Sequence, residues 1–517
     1  MFFSRFFLKS FSFLSPVLQK IARDERELFE LHLRRQEKSA NEEKEREARG
    51  EHEVSLAQKE LRVVPSFLYK SRKAQIRLNS LQLLNLSNNK LVALPESGCF
   101  FHCASLKKLD LSQNRLQKLP DELSECTELI IFDIQNNDIT ELPEKFVTEC
   151  VNLKKLNMAE NEMIRLSENF GKLISLESLI MFRNQLEGLP ESFGNLIKLH
   201  TLDVSVNKLV SLPYRIGECT SLTMLDISWN RVEVIPNGVG AGLFNLVSLN
   251  ASNNIVHFLP SDMSGLTSLE MFDMTYNELI SLPNSLPCMT NLKSLNVSHN
   301  RVNKLPPTFG DMRLLEHVML RNNVIESLPG TIGYLRRRHS LDFAKNNVQE
   351  LPPEMGAMLG IVHIDGSFNQ ISGTWPEELG CLPILQTCNF SHNLIEELPR
   401  NVGGLTTVSV LNFSYNRLKT LPESVGNMLS LTNLNVSSNQ LESFPERIGD
   451  AQALQHLDLS ANRLSAVPRT IGWLRCLRTL SVYNNNLKAL PAGKEKLLTY
   501  FVRHVFVLFF FFDIQYF

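Results

Sequence analysis

The chain lacks a run of apolar residues long enough to cross a bilayer. Val505 to Phe512 is eight residues long, and Arg503 and His504 stop it from extending. A spanning helix needs ~20 apolar residues, so no transmembrane anchor is expected. An excess of either charge is also lacking. A net charge of -2 gives no general case for nucleic acid or an acidic membrane as partner. The nine cysteines are odd in number and dispersed. Cys99 and Cys103 flank His102, but no second ligand pair follows at zinc spacing, so two packed thiols are expected there and no metal site. There is no glycine loop to cradle phosphate and no nucleophile set in irregular sequence. The expectation is a protein that is not an enzyme and needs no cofactor.

What is present is a repeat. Leu292 to Pro306 reads LKSLNVSHNRVNKLP, in which Leu292, Leu295 and Val297 alternate like a short strand with one buried face. The pattern L-x-x-L-x-L-x-x-N-x-L-x-x-L-P is the leucine-rich repeat signature. Its asparagine recurs at Asn89, Asn114, Asn137, Asn161, Asn184, Asn207, Asn230, Asn254, Asn277, Asn300, Asn323, Asn346, Asn369, Asn393, Asn416, Asn439, Asn462 and Asn485. Thirteen of the 17 intervals are 23 residues and the others 24 or 25, a register that chance does not hold. The fold class is therefore α/β: a leucine-rich-repeat solenoid, a curved horseshoe with a concave parallel sheet and short convex helices. Eighteen strands at ~4.8 Å give an inner arc of roughly 85 Å.

Each column of the repeat has its own work. The leucines form one core along the solenoid. The turn after each strand buries backbone groups between coils, and an asparagine amide, donor and acceptor at once, can pair them. Proline fills one slot in all coils but one, from Pro95 to Pro491, where only Ser167 departs; it suits the entry to a short convex helix. Gly171, Gly194, Gly217, Gly310, Gly333, Gly426, Gly449 and Gly472 fall where that helix should end. Cys126, Cys150 and Cys219 each precede a strand leucine by three residues, a slot for a small buried thiol.

The array proper is residues 81–491. Residues 54–80 form a degenerate first repeat or cap, in which Lys59 replaces the asparagine. Residues 1–53 are an extension: a Phe-rich start with Arg5 and Lys9, then a charged helix or disordered arm. Residues 492–517 are an atypical Phe-rich tail that either folds over the open end or is not native sequence. Residues 1–19 can likewise be read as a secretory or mitochondrial targeting segment, or as non-native sequence.

Outward strand positions decide what a solenoid binds. The residue between the second and third strand apolars is Asp or Asn in 15 of 18 repeats, which reads as a hydrogen-bonded column and not as catalytic carboxylates. The column breaks at Ile180, Met319 and Ser481, with Phe182, Arg183, Arg321 and Tyr483 beside the breaks. Trp229, Tyr276, Phe368 and Tyr415 precede ladder asparagines, with His299 and His392 between them. Exposed aromatics and Arg dominate interface energies. The expected hot spot is Met224, Trp229, Met271, Tyr276, His317, Met319 and Arg321, with Ile180, Phe182, Arg183, Phe368 and Tyr415 as further contacts.

The segments LDVSVNKLVSLPYRIGECTSL (202–222) and LNVSSNQLESFPERIGDAQAL (434–454) resemble the Ras-group intracellular leucine-rich repeats. That group takes in Sur/Shoc-type Ras–MAPK scaffolds, Ras-suppressor proteins, plant intracellular Ras-group proteins and LAP-type repeats. The likeness covers about four-fifths of the chain. It implies a cytoplasmic, non-catalytic scaffold in signal transduction whose partner is a small Ras-type GTPase or a phosphatase subunit. No basic-Val-x-Phe docking stretch is present, because in RVVPSF (62–67) the phenylalanine comes too late. The alternative is an extracellular recognition or adhesion protein, secreted if residues 1–19 are a cleaved signal. Asn85, Asn250, Asn296, Asn389, Asn412 and Asn435 begin Asn-x-Ser sequons, but mid-strand, where glycans would obstruct the binding face.

Overall fold

The computed structural model describes residues 53–65, 81–95 and 103–488. The charged arm, the Phe-rich tail, Cys99 and His102 lie outside the described residues; Cys103 is described and buried. Nineteen parallel strands make one sheet, from Glu53–Ser55 to Thr479–Ser481, each paired to the strand of the next coil. Most are three residues long with the middle side chain buried, as in Lys108–Asp110 and Met271–Asp273. That is the two-residue alternation of a strand cut to the length of the inner arc. Parallel sheets are usually covered on both faces. Here helical turns and core cover one face, and no described element covers the other.

After each strand the chain turns on a residue with positive φ. The residue before every ladder asparagine, from Asn88 to Asn484, has φ between 52° and 56°. The asparagine then ties two coils together. Asn300 Oδ1 accepts the Leu279 N–H at 2.9 Å, and its Nδ2 donates to Met274 O at 2.8 Å and Val297 O at 3.0 Å. Two of these bonds join it to the preceding coil, and the pattern repeats along the ladder.

The convex side is mostly 3-10 turn, where the sequence suggested short helices in general. Pro190 (φ -69°, ψ 151°) leads into the five-residue turn Glu191–Asn195, typical of the 23-residue coils. Six-residue α-helices occur at Glu144–Glu149 and Asn237–Gly242. Both lie in 24-residue coils whose extra residue falls between the proline and the next strand leucine. One residue more is what lets the turn relax to α geometry. In the third 24-residue coil the extra residue falls before Pro376. It produces a small second sheet, Ser372–Thr374 with Leu394–Glu397, kinked at Gly373 (φ 73°).

The glycine column does not supply left-handed helix caps. Gly171 sits inside its turn, and a Cβ there would stand 2.0 Å from Ser192 O of the next coil. Coils touch backbone to backbone at that point, and any side chain would wedge them apart. The thiols of Cys126, Cys150 and Cys219 are buried in the same layer. Cys219 Sγ reaches Phe193 O at 3.2 Å, and burial raises the Cys150 and Cys219 thiols to about 12. They pack as small apolar groups and are not poised to react.

Candidate protein-binding face

The uncovered face of the sheet and the turn beside it carry the side chains that the sequence marks as contacts. The first column on this face is the Asp/Asn column. Each oxygen accepts the backbone N–H two residues on: Ser112 to Asp110 at 3.1 Å, Ser228 to Asp226 at 2.9 Å, Ser252 to Asn250 at 3.1 Å, Ser460 to Asp458 at 3.0 Å. This bond ends the strand and sets the turn.

Where the column holds neither Asp nor Asn, the residue two places on changes as well. Ile180 goes with Phe182, Met319 with Arg321, and Ser481 with Tyr483, against Ser, Thr, Ala or Gln elsewhere. Two of the expected contacts change meaning here. Met319 is buried at 8% exposure, in register between Asn296 and Asp342, so its neighbours on the sheet face leave little of it to a partner. The inner arc is the compressed side of the solenoid, and a strand-end side chain there is shielded by its neighbours. Arg321 is only 21% exposed, and its Nη1 lies 3.6 Å from both Asp342 Oδ2 and Asp365 Oδ2. It neutralises its own chain instead of reaching outward.

The remaining expected residues fall into two rows. Met224, Met271 and His317 begin their strands and are half-buried, with Ser248 and Ser294 between them in register. The serines dilute what the sequence suggested was one apolar patch. Ile180 and Phe182 are half-buried nearby. Trp229, Tyr276, Phe368, Tyr415 and Arg183 all occupy the left-handed column before the ladder. These are exposed: Trp229 is 49% and Tyr276 53% accessible. Arg183 holds Glu160 at 2.8 Å.

The left-handed column is the feature that sequence reasoning missed. An L-residue there costs about 1–2 kcal/mol, and Asn tolerates it best. Asn88, Asn136, Asn253, Asn322 and Asn484 stand in it, and that enrichment was the available signal. Tyr276 stacks on His299 with centroids 4.1 Å apart. Phe368, His392 and Tyr415 form one stack with spacings of 4.0 and 4.1 Å. Lys345 Nζ lies 5.8 Å from the Phe368 ring centre, and Asn322 bonds His299 at 3.1 Å. Burial, then the Arg321 and Lys345 charges, hold His299 below the usual histidine range, and burial lowers His392.

The carboxylates are perturbed in pairs. Asp226 is pushed up to about 7 by burial and then by the adjoining Asp203 carboxylate. Burial raises Asp203 and Asp273. Asp342 also rises to about 7, through burial and then Asp365, with Arg321 pulling the other way. The burial outweighs the ion pair because Arg321 stands at 3.6 Å, beyond good hydrogen-bond length. No group of three or more His, Cys, Asp or Glu among the described residues is placed to hold a metal ion. No described helix is long and apolar enough to cross a membrane.

The geometry agrees with comparison to known proteins. A family profile described as leucine rich repeat matches residues 79–131 and 220–279, and a second matches residues 291–312. The serine/threonine-protein kinase pats1 of Dictyostelium discoideum is 33% identical over 101 residues, which is 19% of this chain. The match spans 3% of that protein's length, so its kinase activity does not come with it. Among solved structures, a leucine-rich-repeat protein of Leptospira interrogans superposes with a TM-score of 0.57 at 25% identity, covering 88% of this chain and 95% of that one. A TDR receptor superposes with a TM-score of 0.64 at 26% identity, over 79% of this chain and 73% of the receptor. Repeat matches, stacked parallel strands and the asparagine ladder together make this chain a leucine-rich-repeat solenoid.

Proposed function

We propose that the chain is a non-catalytic scaffold that binds other proteins through the bare face of its sheet, in intracellular signalling of the Ras–MAPK type. The observation that carries the binding part is the left-handed column. Val206, Trp229, Tyr276, Phe368 and Tyr415 stand at φ between 52° and 55°, where several other coils use Asn. Bulky side chains in strained backbone mark sites kept for something other than stability. Four of these five are exposed aromatics on a rigid frame, the composition of an interface hot spot.

The signalling part is supported by the Ras-group likeness of residues 202–222 and 434–454. The partner is then a small Ras-type GTPase or a phosphatase subunit. A cytoplasmic location is supported by the sequons. Asn250 Nδ2 donates to Asp226 Oδ2 at 3.0 Å and Asn389 Nδ2 to Asp365 Oδ1 at 3.1 Å. A glycan on either nitrogen would take one of its two hydrogens and project from mid-strand onto the concave face.

The test is affinity purification of the full chain from native cells, beside a chain carrying Trp229→Ala, Tyr276→Ala, Phe368→Ala and Tyr415→Ala. A GTPase or phosphatase subunit recovered with the first and lost with the second is the expected result. Equal recovery would move the site off this column. Recovery of secreted or surface proteins alone, with glycan on the sequons, would replace the reading by extracellular recognition or adhesion.

A further inference from the structure

Two places in the solenoid repeat one arrangement with a single change. In the coil of Asn323, Met319 and Arg321 break the Asp/Asn column, and the next two coils present Asp342 and Asp365 side by side. In the coil of Asn184, Ile180 and Phe182 break it, and the next two coils present Asp203 and Asp226 side by side. Phe182 stands where Arg321 stands, two residues before the ladder asparagine. Arg321 places its guanidinium 3.6 Å from both of its carboxylates. Among the described residues no cation pairs with Asp203 or Asp226. Arg183 is turned to Glu160 at 2.8 Å. A third neighbouring pair, Asp110 and Asp133, follows Ser87, and the coil of Ser87 keeps its oxygen at Asn85, so the arrangement is not reproduced there.

We propose that the Asp203–Asp226 pair, with Phe182, is the docking point for an arginine side chain of a partner protein. The inference rests on the concave face being a protein-binding surface. The chain itself shows what this pair of carboxylates takes, because it fills the second copy with its own guanidinium. Guanidinium suits the site better than ammonium for two reasons. It can address two carboxylates from one planar group, and it stacks on an aromatic face such as that of Phe182. Asp226 is buried and already holds the Ser228 N–H and the Asn250 amide, at 2.9 and 3.0 Å. Asp203 and Phe182 are half-buried, so the guanidinium enters at their edge. The proton that Asp226 retains up to about neutral pH is what an incoming cation would displace.

The test uses the full chain and a fluorescein-labelled Gly-Arg-Gly-Arg-Gly-Arg-Gly peptide, with lysine and citrulline counterparts, read by fluorescence anisotropy. The expected order is arginine first, lysine weaker and citrulline unbound. Phe182→Arg copies the filled site and should lower arginine-peptide affinity at least tenfold. Asp226→Asn should do the same, and it serves if Phe182→Arg does not fold. Arg321→Phe should open the second pair and raise the stoichiometry from one peptide to two. Citrulline binding as well as arginine, no peptide binding at all, or unchanged binding in both Phe182→Arg and Asp226→Asn would overturn the proposal. Cellular partners retained equally by the native chain and Phe182→Arg would leave the scaffold standing and remove the arginine site. No retained partner at all would remove the scaffold reading itself.

Discussion

The ladder makes a prediction about coupling that follows from who shares which carbonyl. Met274 O accepts Nδ2 of Asn277 at 3.1 Å and Nδ2 of Asn300 at 2.8 Å. Val297 O likewise accepts Asn300 at 3.0 Å and Asn323 at 3.0 Å. Each carbonyl is served by two successive asparagines. Replacing Asn300 by Leu therefore orphans one group outright, the Leu279 N–H that Asn300 Oδ1 accepts. Both carbonyls keep a donor. An unsatisfied buried N–H costs about 1–3 kcal/mol, and a lost bond to a carbonyl that keeps another partner costs less. The single change should then cost on the order of 3 kcal/mol, and Asn277→Leu about the same, through the Val256 N–H. The pair behaves differently, because Met274 O now loses both donors. Asn277→Leu with Asn300→Leu should exceed the sum of the singles by about 1–3 kcal/mol. A pair two coils apart, Asn254→Leu with Asn300→Leu, shares no carbonyl and should add simply. Urea unfolding followed by circular dichroism gives the energies, and exchange of the Leu279 amide reports the local loss. If the neighbouring pair is additive within about 0.5 kcal/mol, the shared-carbonyl account of the ladder is wrong.

Three further outcomes are expected. Asp226 has a folded pKa near 7, above the ordinary carboxylate value of ~4. Its protonated form favours folding, so that contribution is full below about pH 4 and lost as pH rises through about 7. Asp226→Asn should flatten the fall in urea midpoint between pH 5 and 8, and adding Asp342→Asn should flatten it further. Gly171→Ala should destabilise by about 1–3 kcal/mol through overpacking against Ser192 O. Gly188→Ala meets nothing within 4 Å and should be neutral or stabilising by up to about 1 kcal/mol in thermal melts. Val206, β-branched at φ 55°, should be improved by Val206→Asn, with a gain of about 1 kcal/mol in the same melts.

The solenoid was legible because its signals are columns. A leucine or asparagine repeated at a fixed interval states both its depth and its partner in the next coil. The same logic reached the short strands and the buried thiols of Cys150 and Cys219. It went astray where meaning depends on contact between coils. The glycines looked like helix ends because single-coil rules put them there, yet the atom that demands Gly171 belongs to the next coil, at Ser192. Met319 and Arg321 looked exposed because strand alternation ignores curvature. On the inner arc one is buried and the other is taken up by Asp342 and Asp365. Backbone sign is written only in the five asparagines of that column, and the Trp, Tyr and His that stand among them hid the left-handed turn.

That concealment is itself informative about binding. A solenoid selected for stability alone would place Asn or Gly at each left-handed position, and the coils of Asn88, Asn136 and Asn253 do so. Tyr276 with His299, and Phe368 with His392 and Tyr415, do the opposite, setting rings face to face at 4.0 to 4.1 Å. Stacking offsets part of the backbone strain, at about 0.5–1.5 kcal/mol for each aromatic contact. It does not explain Trp229, which stands between Val206 and Asn253 in the column and remains half exposed. Trp229 is therefore a position where no ring contact among the described residues offsets the strain. It begins the turn that follows Asp226, the carboxylate next to Asp203. Trp229 and Asp226 thus share one coil, and Asp203 lies beside Asp226 in the coil before. A partner arginine at Asp203 and Asp226 would bring its own neighbouring side chains onto the Trp229 ring.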